Sequence, residues 1–182
     1  MNAIAPQKTL LGKPVPAALN ISRVMLHILL IINWVYGAAI LCLLFASFSN
    51  SALIMSALDI PPSSGGLFRG MQAVALLGIV CVPFYYLILR RLIEMVDSVR
   101  AGDPFVSENA LRLHTIAWAL LGLQVLAMVI GAIAKVVSTH EHPLHLDAGF
   151  STSGWLGVLL LFVLARVFAE GARMRDELEG TV

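Results

Sequence analysis

The chain has 182 residues, 59% of them hydrophobic and 13% charged, with a formal net charge of +1. Soluble domains usually hold about 45–50% apolar and about 25% charged residues, so this is the composition of a membrane protein. The near-neutral balance excludes the basic footprint of a chain that binds nucleic acid directly.

A polar leader over residues 1–20 carries Lys8, Pro14 and Pro16. The first apolar run, residues 24–48, is far longer than the roughly 7–15-residue apolar core of a cleavable signal, so it reads as a permanent anchor. Asn20 or Ser22 is placed to cap it. Residues 49–70 are too short to cross again. Leu53, Ile54, Leu58 and Ile60 predict a short interfacial helix there, and Pro61 to Gly66 a turn. The second run, 69–90, contains Pro83, which leaves the Ile79 carbonyl without its helical donor and predicts a kink.

Past Arg90 and Arg91 the helical period continues, with Leu92, Met95, Val96 and Val99 on one face. Gly102 supplies a C-cap and Asp103-Pro104 a stop. Ser107 is the expected N-cap of the third helix, and Glu108 favours its positive end. Residues 90–114 therefore read as a helical hairpin that outruns the lipid by about 10–15 Å. The third run, 114–137, carries Ala127 and Gly131, a small pair that permits close helix approach. A polar loop with His140, Glu141, His142, His145 and Asp147 follows Lys135. The fourth run borrows from both flanks to reach 151–169, which leaves Arg166 near the boundary, snorkelling or paired. Residues 170–182 continue it as a charged tail. Glu170 with Arg173, Arg173 with Glu177, and Arg175 with Glu179 are helical pairs worth about 0.2–0.5 kcal/mol each.

About 20 apolar residues cross the roughly 30 Å hydrocarbon layer, so the four runs predict four spans. Of the 12 Lys and Arg residues, only Arg69 and Lys135 fall to the side opposite the rest. By the positive-inside rule both termini and the hairpin are cytoplasmic. The expected architecture is an all-α integral membrane protein of one domain. Its four transmembrane helices form a bundle, and the second, third and fourth extend into the cytoplasm.

Chemistry-bearing residues are sparse. Cys42 and Cys81 lie in spans and read as packing residues, without a disulfide framework. His140, His142 and His145, with Glu141 and Asp147, are weak metal candidates. They lack a recognisable four-ligand spacing and read as a solvated loop, so no metal is expected. His27 and His114 sit near inner helix ends, without the further intramembrane histidines a haem would want, and no cofactor is expected. Asn33 and Gln124 each lie about 14 Å above the inner interface on outward-running helices. They read as an intramembrane polar layer. Either they bond across helices, for about 0.6–2 kcal/mol, or they line a small-molecule pocket. No acidic residue lies in a span, and GxSxG, HExxH and paired intramembrane aspartates are missing. An enzyme is not expected.

Two segments carry a resemblance. One is Gly102-Asp103-Pro104-Phe105 followed by Asn109 and Leu111-Arg112. The other is the ending Val167-Phe168-Ala169-Glu170-Gly171-Ala172-Arg173-Met174, then Glu177-Leu178-Glu179 and Thr181-Val182. With the four-span pattern, these resemble a bacterial family known as domain of unknown function 2975. The resemblance implies the bacterial inner membrane and no established activity. Members are often encoded beside small helix-turn-helix regulators of the Cro/C1 type, which implies a membrane partner of such a regulator. The residues then expected to meet a partner are Gly102, Asp103, Pro104, Phe105 and Asn109 in the hairpin, with Glu170, Arg173, Glu177 and Glu179 in the tail. The lipid bilayer is an expected partner, and a second copy of the chain is left open. The competing expectation is a small-molecule or ion permease subunit using Pro83, Asn33 and Gln124.

Overall fold

The computed structural model describes residues 17–57, 65–138 and 149–179. These form five helices: α1 (Ala17–Ser49), α2 (Ser51–Ala57), α3 (Gly65–Arg100), α4 (Ser107–Val137) and α5 (Thr152–Glu179). Four of them, α1, α3, α4 and α5, are long and apolar enough to cross a membrane. The 36 residues of α3 measure about 54 Å at 1.5 Å per residue, against a hydrocarbon layer of about 30 Å. Excess length of this kind is what the hairpin expectation requires. The short α2 stands where an interfacial helix is expected. The Pro61 to Gly66 turn lies mostly outside the described residues.

The principal contacts between long helices run α1 to α3, α3 to α4, and α4 to α5. The four-helix grouping is therefore a row in chain order, and closure of a bundle through α1 and α5 is not among these contacts. Lipid explains why the row holds. Tails cover an apolar face as well as a neighbouring helix does, so a span needs only one good seam. On α1 the more covered residues include Arg23, Leu26, Leu30, Asn33, Gly37, Ile40 and Leu44. Their alternating steps of three and four are the seam of a left-handed helix pair. The opposite face stays open, with Val35 63% and Phe45 75% exposed.

The most buried packing lies between α3 and α4, where Ile88 meets Ile116, Ala119 and Leu123, with Phe84 and Leu161 against them. At the other end Leu67 and Phe68 pack on Ile54 and Met55 of α2 and on Val137. Small residues set the helix separations. A Cβ on Gly122 would come within 2.7 Å of the Phe84 ring.

Helix ends differ from expectation at two places. Ser22 does not cap α1, which already runs from Ala17. Its hydroxyl donates back to the Ala18 carbonyl at 2.9 Å, as serines inside helices do. Ser107 is the first residue of α4 rather than its cap. Val106 holds the extended cap position without a side-chain bond, and Ser107 Oγ donates to Glu108 at 3.4 Å. α3 passes Pro83 unbroken.

Candidate functional site: the hairpin and tail platform

The N-termini of α1 and α4 and the C-termini of α3 and α5 gather most arginines at one end of the row. This basic end starts from a turn. Gly102 has φ +88°, a conformation that costs most residues about 1–2 kcal/mol and glycine almost nothing. Its amide donates to the Val99 carbonyl and that of Asp103 to Ser98, at 3.1 Å each. Those two bonds make a Schellman cap, so the expected C-cap is where the sequence puts it.

Asn109 locks the turn from inside. It is 1% exposed. Its Nδ2 donates to Ser98 Oγ at 2.7 Å and to the Pro104 carbonyl at 2.8 Å, while Oδ1 accepts from Arg112 at 2.7 Å. One amide thus ties α3, the turn and α4 together. Nothing in the sequence marks Ser98 as its partner except the near-equal distances of the two residues from the turn.

Charge pairs then fasten the other helices to this hairpin. Arg23 of α1 meets Asp97 of α3 at 3.1 Å, and Arg112 of α4 meets Glu94 of α3 at 3.4 Å. Arg175 of α5 pairs with Asp103 in the turn. Glu94 also holds Arg91 at 2.8 Å and Arg90 at 3.3 Å, and Asp97 holds Arg100 at 3.6 Å. The hydrogen bond from Arg91, with the charges of Arg91 and Arg112, keeps the Glu94 carboxyl below the usual carboxylate range.

Aromatic packing closes the platform. Phe105 lies 5.4 Å from Phe168, ring centre to ring centre, and a Cβ on Gly171 would come within 3.4 Å of Phe105. The structure therefore brings the two resemblance segments together: Asp103 and Phe105 of one touch Arg175, Phe168 and Gly171 in and beside the other. Glu170 and Arg173 pair at 2.7 Å, and Arg173 and Glu177 at 3.6 Å, on the outward face of α5. Glu179 ends α5, and its side chain lies outside the described ones.

Asn33 and Gln124 do not meet, which corrects the expected amide pair. Asn33 Nδ2 donates to the Val82 carbonyl at 3.2 Å in the α1–α3 seam. Gln124 lies in the α4–α5 seam, against Gly154, where a Cβ would collide with its amide. Equal depth does not make neighbours in a row, because α1 and α4 are separated by α3. His140, His142 and His145 lie outside the described residues. His27 Nδ1 sits 2.8 Å from the Arg23 carbonyl, and His114 accepts from Trp118 Nε1 at 3.3 Å with Phe162 beside it. Among the described residues no group of three or more His, Cys, Asp or Glu is arranged to hold a metal. Arg166 is exposed and makes no ion pair there.

Long apolar helices in a row, with hydrogen-bonded and charged side chains concentrated at one end, define a multi-pass all-α membrane protein with a polar platform. The chain belongs to the family described as Protein of unknown function (DUF2975), whose family model matches residues 23–182. No curated protein and no solved structure matches it.

Proposed function

We propose that this is a non-enzymatic regulatory protein of the bacterial inner membrane that docks a small cytoplasmic helix-turn-helix regulator. Both termini and the α3–α4 hairpin face the cytoplasm in this reading, as the one-sided arginines favour. The observation that carries it is the fastening of the α5 tail onto the hairpin through Asp103–Arg175 and Phe105–Phe168. Two separate segments become one ordered surface, with Glu170, Arg173 and Glu177 on its outer side. Gly102, Pro104 and Asn109 shape that surface from within, and Phe105, 48% exposed, forms part of it. The regulator as partner rests on the family resemblance.

The test uses the full chain in nanodiscs and the helix-turn-helix protein encoded beside its gene. Retention that Glu170→Lys with Arg173→Glu abolishes is expected. Failure of the purified pair to associate sinks the reading. The permease alternative draws less support, because Asn33 and Gln124 occupy different seams. Vesicle flux abolished by Gln124→Leu is the result that favours it.

A further inference from the structure

Beside the α1–α3 seam lies an open apolar trough. One part, of about 540 Å³, is lined by Trp34, Ala38 and Tyr86, and the next, of about 580 Å³, reaches Phe48. Leu41 and Ile79 line both, so the two parts are continuous. From Trp34 to Phe48 the trough follows α1 for about 21 Å at 1.5 Å per residue. That exceeds one leaflet, about half of the roughly 30 Å hydrocarbon layer. Its lining is nearly all hydrocarbon and its open side faces outward, so the bilayer and not water fills it.

The trough has a chemically distinct mouth. Trp34 and Tyr86 stand edge to face across it, 5.7 Å between ring centres. One turn further along α3, Arg90 donates to the Tyr86 hydroxyl at 3.4 Å, with its side chain 61% exposed. The charges around it do not balance. Arg90, Arg91 and Arg112 share Glu94, while Arg23 and Arg100 share Asp97. Five guanidiniums on two carboxylates leave an excess of positive charge at the membrane boundary. A guanidinium there pairs readily with a phosphate. An ordinary lipid-facing helix surface offers neither side walls nor this charge.

We propose that the trough binds one anionic phospholipid, with an acyl chain lying along Ala38, Leu41 and Ile79 and the phosphate on Arg90. This is a site beside the platform and does not depend on a docked regulator.

Native mass spectrometry of the full chain in micelles, titrated with phosphatidylglycerol or phosphatidylcholine of matched chains, tests it. One phosphatidylglycerol is expected to be retained about tenfold better than phosphatidylcholine. Arg90→Gln is expected to erase that preference, and Ala38→Phe, which fills the trough, to weaken retention of both lipids. Both positions are exposed, and unchanged elution and melting show that the variants fold. Arg166→Gln, another boundary arginine on α5, is expected to change nothing. Equal retention of the two lipids by the wild type overturns the proposal, as does a preference that survives both trough substitutions. An equal loss in Arg166→Gln overturns it too, by assigning the preference to net charge. Competition by millimolar inorganic phosphate overturns the acyl-chain part, leaving a bare anion site.

Discussion

At Asn109 one buried amide satisfies three groups, so its loss removes a bond from Ser98, the Pro104 carbonyl and Arg112. A buried group stranded in this way costs about 1–3 kcal/mol. Asn109→Ala is expected to lower the stability of the purified protein by about 2–4 kcal/mol on that scale, measured from its denaturation midpoint in micelles. A change within 0.5 kcal/mol, about the noise of an ordinary surface substitution, would show that the amide is not what holds the turn. Gly102→Ala probes the same turn through the backbone. With φ at +88° it is expected to cost about 1–2 kcal/mol, while Gly65→Ala, at a helix start with open space, stays near neutral. Gly102 was legible from its place between a periodic helix and Asp103-Pro104. The burial of Asn109 was not, because an asparagine early in a helix ordinarily reads as a solvated or capping residue.

Elements are joined here by charge and ring pairs that sequence spacing cannot reveal. Asp103 and Arg175 are 72 residues apart, and a helix period relates only residues within one helix. Both side chains are about two-fifths exposed, so their coupling is expected to stay within about 1 kcal/mol. Asp103→Asn is expected to speed hydrogen exchange over residues 168–179 while leaving the apolar parts of α3 and α4 protected. Reversing the pair, Asp103→Arg with Arg175→Asp, restores the slow exchange. An unchanged exchange rate in Asp103→Asn would mean that Phe105 and Phe168 hold the tail unaided. The α3–α4 link responds to acid. Glu94 titrates below its unfolded value of about 4.3, because Arg91 donates to it. Its stabilisation is complete above that value and is lost as pH falls through the folded one. The melting midpoint is therefore expected to drop as pH falls below about 4.3. Glu94→Gln, lower at neutral pH, is expected to drop less on the same acidification. The hairpin was legible because both its helices keep their period past the arginines. The mutual contact of its turn with the tail had no local signal.

For the whole molecule, four spans were readable from apolar length alone, since a bilayer fixes the length that a crossing needs. Their arrangement was not readable, because a lipid-facing and a helix-facing leucine look alike in sequence. The Asn33 and Gln124 pairing failed for that reason: depth in the membrane is encoded, but which helix stands beside which is not. Gly154 is the sharper guide. Gly154→Leu is expected to push α5 off Gln124 and abolish crosslinking between cysteines placed across the α4–α5 seam. Crosslinking at wild-type efficiency would place the seam elsewhere. The orientation carries its own check: a green fluorescent protein fused to the C-terminus is expected to fluoresce and an alkaline phosphatase there to stay inactive, with the reverse pattern inverting the topology. The chain-order row has a further consequence, for biogenesis. Each span after α1 finds a docking partner already inserted, and α1 waits only for the next span to be made. Every main seam joins spans that follow one another in the chain, so assembly is expected to proceed as the chain is synthesised, one seam per added span.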